Sequence, residues 1–196
     1  RTGECDMAMC GGVGLMLTPE NLINFSKAGM LNAEGRCFTF DSRANGYVRG
    51  EGAGMIVIKR LSDAQADGDD PIAVIRGSAV NQDGRSSGLT APNGPSQERC
   101  IRTALENGNL KPSEVGYVEA HGTGTSLGDP IEAGALAAAV PVAREAALVV
   151  CGVKANIGHA EAAAACCTGV RGGVRGGVRG GGTHRARRAA CAPTGP

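Results

Sequence analysis

One pattern constrains this chain more than any other: a short apolar strand that runs directly into a glycine-flanked histidine, and it occurs twice. Val115 to Ala120 reads as a strand leading into His121 and the loop HGTGTSLGDP. Ala147 to Val153 reads as a second strand, followed by KANIGH and His159. Between them, Asp129-Pro130-Ile131-Glu132 is a strong helix start, with Asp as N-cap, Pro at the first position and Glu at the third. The helix it opens is expected to run to about Val140 through an Ala-rich stretch. A strand, a helix and a strand in that order imply an α/β sheet with parallel crossovers. In such sheets ligands gather beyond the carboxyl ends of the strands, where both histidines fall.

The rest of the chain supplies further elements. Residues 6–10 predict a short buried strand closed by Gly11-Gly12, and Thr18 to Ala28 a short helix. Gly29 to Glu51 is a long irregular span, and loops of that length inside a compact domain are commonly functional. Gly54 to Leu61 is almost continuously apolar, the pattern of a strand covered on both faces. Ala73 to Ala79 predicts another strand. Ser96 to Asn107 predicts an amphipathic helix with Gly108 as its C-cap.

Charge and composition narrow the function classes. The chain has 20 Lys+Arg and 19 Asp+Glu. Through Glu161 there are 14 basic and 19 acidic residues, a net of −5, which argues against a nucleic-acid surface there. After Glu161 there is no acidic residue, and six arginines (Arg171, Arg175, Arg179, Arg185, Arg187, Arg188) give +6. No apolar run approaches the roughly 20 residues that span a bilayer, so no membrane segment is expected and a cytoplasmic location is. The eight cysteines include no C-x-x-C pair, so neither a zinc site nor a disulfide framework follows, and no metal is expected. The opening RTGECDMAMC begins in mid-pattern, which reads as an internal fragment of a longer protein.

The chemistry is expected at the two histidine loops. Two neutral imidazole N–H donors aimed at one point can stabilise a developing oxyanion or enolate. Thr123 and Thr125 are spaced to put both hydroxyls on one side of an extended segment, where they bind amide groups of an extended ligand or only local backbone. Lys154 pairs with Glu161, polarises a substrate, or is simply solvated; spacing leaves all three open. Asp129 is read first as a helix cap. Rival motifs fail: G-E-G-A-G at 50–54 leads into a strand, His159-Ala160-Glu161 lacks a following P-C-x-x-C, and no G-x-S-x-G is present. Electrophile-stabilising groups are present, yet no cysteine sits where a nucleophile belongs.

At this point the residues resemble a known family. FDSRANGYVRGEGAG, NQDGRSSGLTAPNGPSQ, VEAHGTGTSLGDPIEAGAL and VKANIGHAEAAA are similar, in order and spacing, to the β-ketoacyl synthase domain of modular type I polyketide synthases. The resemblance covers Arg1 to about Ala164, residues 1–164 being a partial domain. It implies a thiolase-like fold with layered αβαβα architecture, incomplete in this chain, and a homodimeric parent. It also implies chain elongation by decarboxylative Claisen condensation, an acyltransferase reaction with substrates carried on the phosphopantetheine of acyl carrier protein domains and with no cofactor of the domain's own. On this resemblance His121, His159 and Lys154 are catalytic and Thr123 and Thr125 contact the pantetheine arm, with Asp129 and Glu161 supporting. The family's nucleophilic cysteine precedes residue 1, so this chain by itself is expected to be inactive. A non-condensing scaffold or carrier-protein docking module is the alternative.

Departures are local. Gly14 stands where Asn is usual and Cys10 where Ala is usual. After Ala164 the resemblance ends, and GVRGGVRGGVRGGG repeats every four residues. Residues 165–196 are therefore expected to be disordered or read out of frame; RNA binding is the weaker reading, because no aromatics are interleaved for stacking.

Overall fold

The computed structural model describes residues 3–88, 90–140 and 147–164; the expectation for 165–196 falls outside the described residues. In chain order the elements are β1 (Met7–Gly14), α1 (Glu20–Lys27), β2 (Gly52–Lys59), α2 (Leu61–Asp67), α3 (Gly94–Asn107), β3 (Tyr117–Glu119), α4 (Gly128–Ala139), β4 (Val149–Cys151) and α5 (Lys154–Ile157). A 3-10 turn at Glu161–Ala163 follows.

The expected crossover is present. β3 and β4 pair in parallel, Tyr117 opposite Val149 and Glu119 opposite Cys151, with α4 on the connection between them. Ala120 extends the ladder by donating its N–H to the Cys151 carbonyl at 2.7 Å. α3 packs against α4, and the Arg102 guanidinium donates to the Ala138 carbonyl near the end of α4. α3 opens as its residues dictate, with the Asn93 side chain accepting from Ser96 N–H at 3.0 Å and a proline in the first turn. Gly108 is its C-cap, as expected; it stays right-handed, and Asn109 takes the left-handed conformation at φ 49°.

Two strand expectations need correction. Segment 73–79 is not a strand. Its carbonyls accept from side chains of α3 instead of from a strand: Asn107 Nδ2 donates to Ser78 at 2.9 Å and Cys100 Sγ to Ala79 at 3.6 Å. β1, in turn, is not closed by Gly11-Gly12 but runs through them to Gly14. A Cβ on Gly12 would lie 2.1 Å from the Ala162 carbonyl oxygen, so this glycine admits the 160–162 main chain against the strand.

β1 and β2 pair antiparallel, from Met7 opposite Lys59 to Gly14 opposite Gly52, so the parallel-crossover rule holds for β3 and β4 alone among the described strands. One face of this pair meets the 160–164 turn. The other carries Met7, Met9, Val13, Met55 and Val57, all exposed, so β1 is not the buried strand, nor β2 the doubly covered one, that the sequence predicts. Buried apolar residues among those described include Cys37, Phe38, Ala120, Ala135, Ala139, Val153, Ala160 and Ala163, from the 37–38 segment, the end of β3, α4 and the 153–164 stretch. Small side chains there allow close backbone approach, as a layered packing without large aromatics requires.

The irregular span 29–51 serves this centre. Gly46 N–H donates to the Gly124 carbonyl at 3.0 Å, and Thr39 Oγ1 donates to the Gly122 carbonyl at 2.6 Å. Thr39 also wedges between both strand ends: a Cβ on Gly122 or on Gly152 would fall 2.4 or 2.8 Å from its methyl carbon.

Candidate active site

The first histidine loop is held by carboxylates. Glu132, one turn into α4, accepts His121 N–H on Oε1 at 2.6 Å and Gly122 N–H on Oε2 at 2.8 Å. Asp129 Oδ1 accepts Gly124 N–H at 3.1 Å and Thr125 N–H at 3.3 Å, while Oδ2 accepts Phe40 N–H at 2.7 Å. Asp129 is therefore not the expected N-cap. Leu127 occupies that position without a side-chain cap bond, and Asp129 lies buried in the first helical turn. Its charge faces peptide N–H groups and the positive end of α4, which offsets its burial. Sequence reasoning missed Glu132 as a site residue, because a glutamate at the third helical position signals a capping box.

Thr123 and Thr125 emerge from this bracket on one side, as their spacing predicts, with hydroxyl oxygens 3.3 Å apart. Thr125 Oγ1 also accepts Gly128 N–H at 3.1 Å, so part of its capacity is spent on local backbone.

The second loop is held by main chain and a cation. The expected KANIGH loop forms the single turn α5 and reverses at Gly158, whose φ of 72° suits glycine. His159 N–H then donates to the Val48 carbonyl at 2.8 Å, and its carbonyl accepts Gly50 N–H at 2.9 Å. The His159 ring accepts Glu161 N–H on Nδ1 at 3.1 Å, so the neutral imidazole carries its proton on Nε2. Glu161 does not pair with Lys154: its carboxylate takes a two-point contact from Arg49, Nε to Oε1 at 2.6 Å and Nη2 to Oε2 at 3.0 Å. A planar guanidinium fits both carboxylate oxygens as an ammonium cannot.

The two loops bring their imidazoles together. The rings of His121 and His159 stand edge to face, with centroids 5.4 Å apart and planes at 87°. Tyr47 contacts the His159 ring from another side at 5.5 Å. Nothing in the sequence signals Tyr47 beyond an aromatic in an irregular span. Lys154 is 2 % exposed, far from the solvated lysine that its spacing left open. Desolvation, then the Lys154 ammonium, hold both imidazoles below the usual histidine range, His159 at about 4, although His121 keeps an exposed edge. Both rings are thus neutral near pH 7. Burial pushes the Cys37 thiol up, the opposite of what a nucleophile needs. No group of three or more His, Cys, Asp or Glu is gathered as a metal site among the described residues.

Two imidazoles neutral near pH 7 meet at the ends of parallel strands, an arrangement chemically able to donate N–H groups to negative charge developing on an oxygen. The chain belongs to the beta-ketoacyl synthase family: residues 72–171 match the model of the C-terminal domain and residues 1–64 that of the N-terminal domain. It is 54% identical over 166 residues to a phenolphthiocerol/phthiocerol polyketide synthase protein of Mycobacterium tuberculosis, covering 84% of this chain and 9% of that protein. Polyketide synthase GfsB of Streptomyces halstedii is 55% identical over 166 residues, with 84% and 3% covered. This chain therefore spans a small part of these relatives. Among solved structures, the ketosynthase from module 6 of the bacillaene synthase from Bacillus subtilis 168 matches at TM-score 0.82 and 46% identity, over 86% of this chain and 31% of that one. The oxazolomycin ketosynthase domain OzmH KS7 of Streptomyces albus JA3453 matches at TM-score 0.82 and 42% identity, over 86% and 30%. The fold is accordingly the expected thiolase-like α/β fold, present in part.

Proposed function

We propose that this chain supplies the decarboxylation and condensation machinery of a polyketide-elongating ketosynthase. The observation that carries the reading is the edge-to-face pair of neutral imidazoles, centroids 5.4 Å apart, both under the influence of the buried Lys154. A malonyl-type extender, held as a thioester on the phosphopantetheine of an acyl carrier protein, loses CO2. The electron pair of the broken C–C bond moves into the thioester, where N–H donation from His121 and His159 stabilises the enolate oxygen. The enolate carbon then attacks an acyl-enzyme thioester, forming the new C–C bond and expelling the cysteine thiolate. Burial first, and the Lys154 ammonium second, keep both rings neutral and so able to donate an N–H. Thr123 and Thr125 hold amides of the pantetheine arm, and Asp129 and Glu161 support the two loops.

None of the five described cysteines is given the acyl-accepting role in this reading. The reading makes the intact protein an acyltransferase that works with carrier-protein domains as a homodimer, in the cytoplasm, without a cofactor of its own. In the intact protein, CO2 release from a malonyl-carrier thioester should fall about 10²- to 10⁴-fold in His121→Ala and in His159→Ala. Undiminished decarboxylation in both variants would overturn the reading and leave the scaffold or docking module.

A further inference from the structure

Arg49 is not among the residues that the resemblance assigns a role, yet it grips the second histidine loop twice. Its main chain lies in the bridge to His159, between the Val48 carbonyl that accepts His159 N–H and the Gly50 N–H that donates back. Its side chain is 5% exposed, lies over the Phe25 ring of α1 at 5.3 Å, and clamps both oxygens of Glu161. Glu161 sits at φ 47°, a conformation that a non-glycine residue adopts only when its surroundings enforce it. That same backbone turn aims Glu161 N–H at His159 Nδ1.

We propose that Arg49 is a positioning residue for His159, acting through Glu161. The two-point ion pair holds Glu161 in its left-handed turn, and the turn keeps a peptide N–H on Nδ1, so the ring is fixed in plane with its proton on Nε2. The chain of contact runs from Phe25 through the guanidinium and the Glu161 carboxylate to the imidazole. Arg49 touches neither the ring nor the reacting atoms. This inference rests on the catalytic role of His159 proposed above, and it extends that role to a cation 112 residues from Glu161 in sequence.

The test uses Arg49→Met, which keeps a long side chain over Phe25 without the charge, and Arg49→Lys, which keeps charge without the two-point geometry. In the intact protein, both should lower kcat for decarboxylation about 10- to 100-fold while KM for the carrier-bound extender stays within about twofold. Glu161→Gln should cause the same loss, and the Arg49→Met/Glu161→Gln double variant no more than either alone. ¹⁵N spectra of His159 should show an unprotonated Nδ1 in the parent protein and exchange-averaged nitrogens in Arg49→Met. Unchanged kcat, a KM rise matching the kcat loss, multiplicative losses in the double variant, or unaltered His159 nitrogens would each overturn the proposal. His159→Ala separates the two ideas: if it decarboxylates normally, the catalytic reading has failed; if it is inactive while Arg49→Met is normal, only the positioning role has.

Discussion

The two histidine loops do the same task by opposite means. The His121 loop is an anion-held structure, in which Glu132 and Asp129 accept N–H groups from His121, Gly122, Gly124 and Thr125, with a fifth from Phe40. The His159 loop is held by main-chain bonds to residues 48 and 50 and by the cation of Arg49. The first takes both carboxylates from within 11 residues of the loop they hold, with Thr39, Phe40 and Gly46 of the 29–51 span adding further bonds. The second is assembled from segments more than 100 residues apart. The first loop draws its carboxylates from its own helix, whereas the second draws both its main-chain partners and its cation from the 29–51 span.

This contrast can be broken most severely at Asp129. Asp129→Ala strands three peptide N–H donors that now face a carboxylate. Bonds to a charged acceptor contribute about 1.5–3 kcal/mol each; with two of the three long, at 3.1 and 3.3 Å, and counted together as about one, a stability loss of about 3–5 kcal/mol is expected by chemical denaturation. A loss under about 1 kcal/mol would mean that water replaces the carboxylate and that the loop is not anion-held. Next comes Gly158→Ala, which puts a side chain at φ 72° with its Cβ 3.2 Å from the Arg49 and Val48 carbonyl oxygens. A cost of about 2 kcal/mol is expected, with kcat falling more than the Thr123- and Thr125-dependent KM. Equal damage to both parameters would show that the two loops are not separate.

A smaller effect is expected from Glu132→Gln, which keeps shape but presents only one good acceptor to His121 and Gly122. About a tenfold loss in kcat with little change in melting temperature is the expected outcome; parent-like kinetics would show that α4 alone places His121. The gentlest probe is pH. His159 titrates at about 4 when folded and near 6.5 when unfolded, so the unfolded chain binds more protons between these values. Stability contributed by the neutral ring is thus present above pH 6.5 and lost as pH falls towards 4, with His121 acting in the same direction. A denaturation midpoint that does not fall between pH 7 and pH 4.5 in the parent relative to a His159→Gln variant would contradict this.

The legibility of the sequence follows the same division. The β3–α4–β4 crossover was readable because apolar strands, an Asp-Pro-x-Glu start and histidine loops are all local signals. The position of both histidines at strand ends followed from it. Asp129 was misread because a capping box and a loop-binding pair of carboxylates share one spacing, and only the course of the preceding loop distinguishes them. Arg49 and Tyr47 were silent because their partners lie far away in sequence and no period links them. The extra strand expected at 73–79 failed for a related reason: its apolar pattern fits an extended segment, but α3 rather than a strand takes up its carbonyls. The continuous apolar run of β2 reads as cover on both faces, whereas among the described residues only one face of the pair is covered.

Thr39 gives the two loops a shared mechanical fate. Its methyl occupies the space that side chains at Gly122 and Gly152 would need, and its hydroxyl is tied to the first loop. It works like a pin through two hinges: neither imidazole can be re-aimed by changing its own strand end without displacing the pin and disturbing the other. An engineer seeking to alter the geometry of the pair would have to redesign positions 39, 122 and 152 as one unit, enlarging one only as another shrinks.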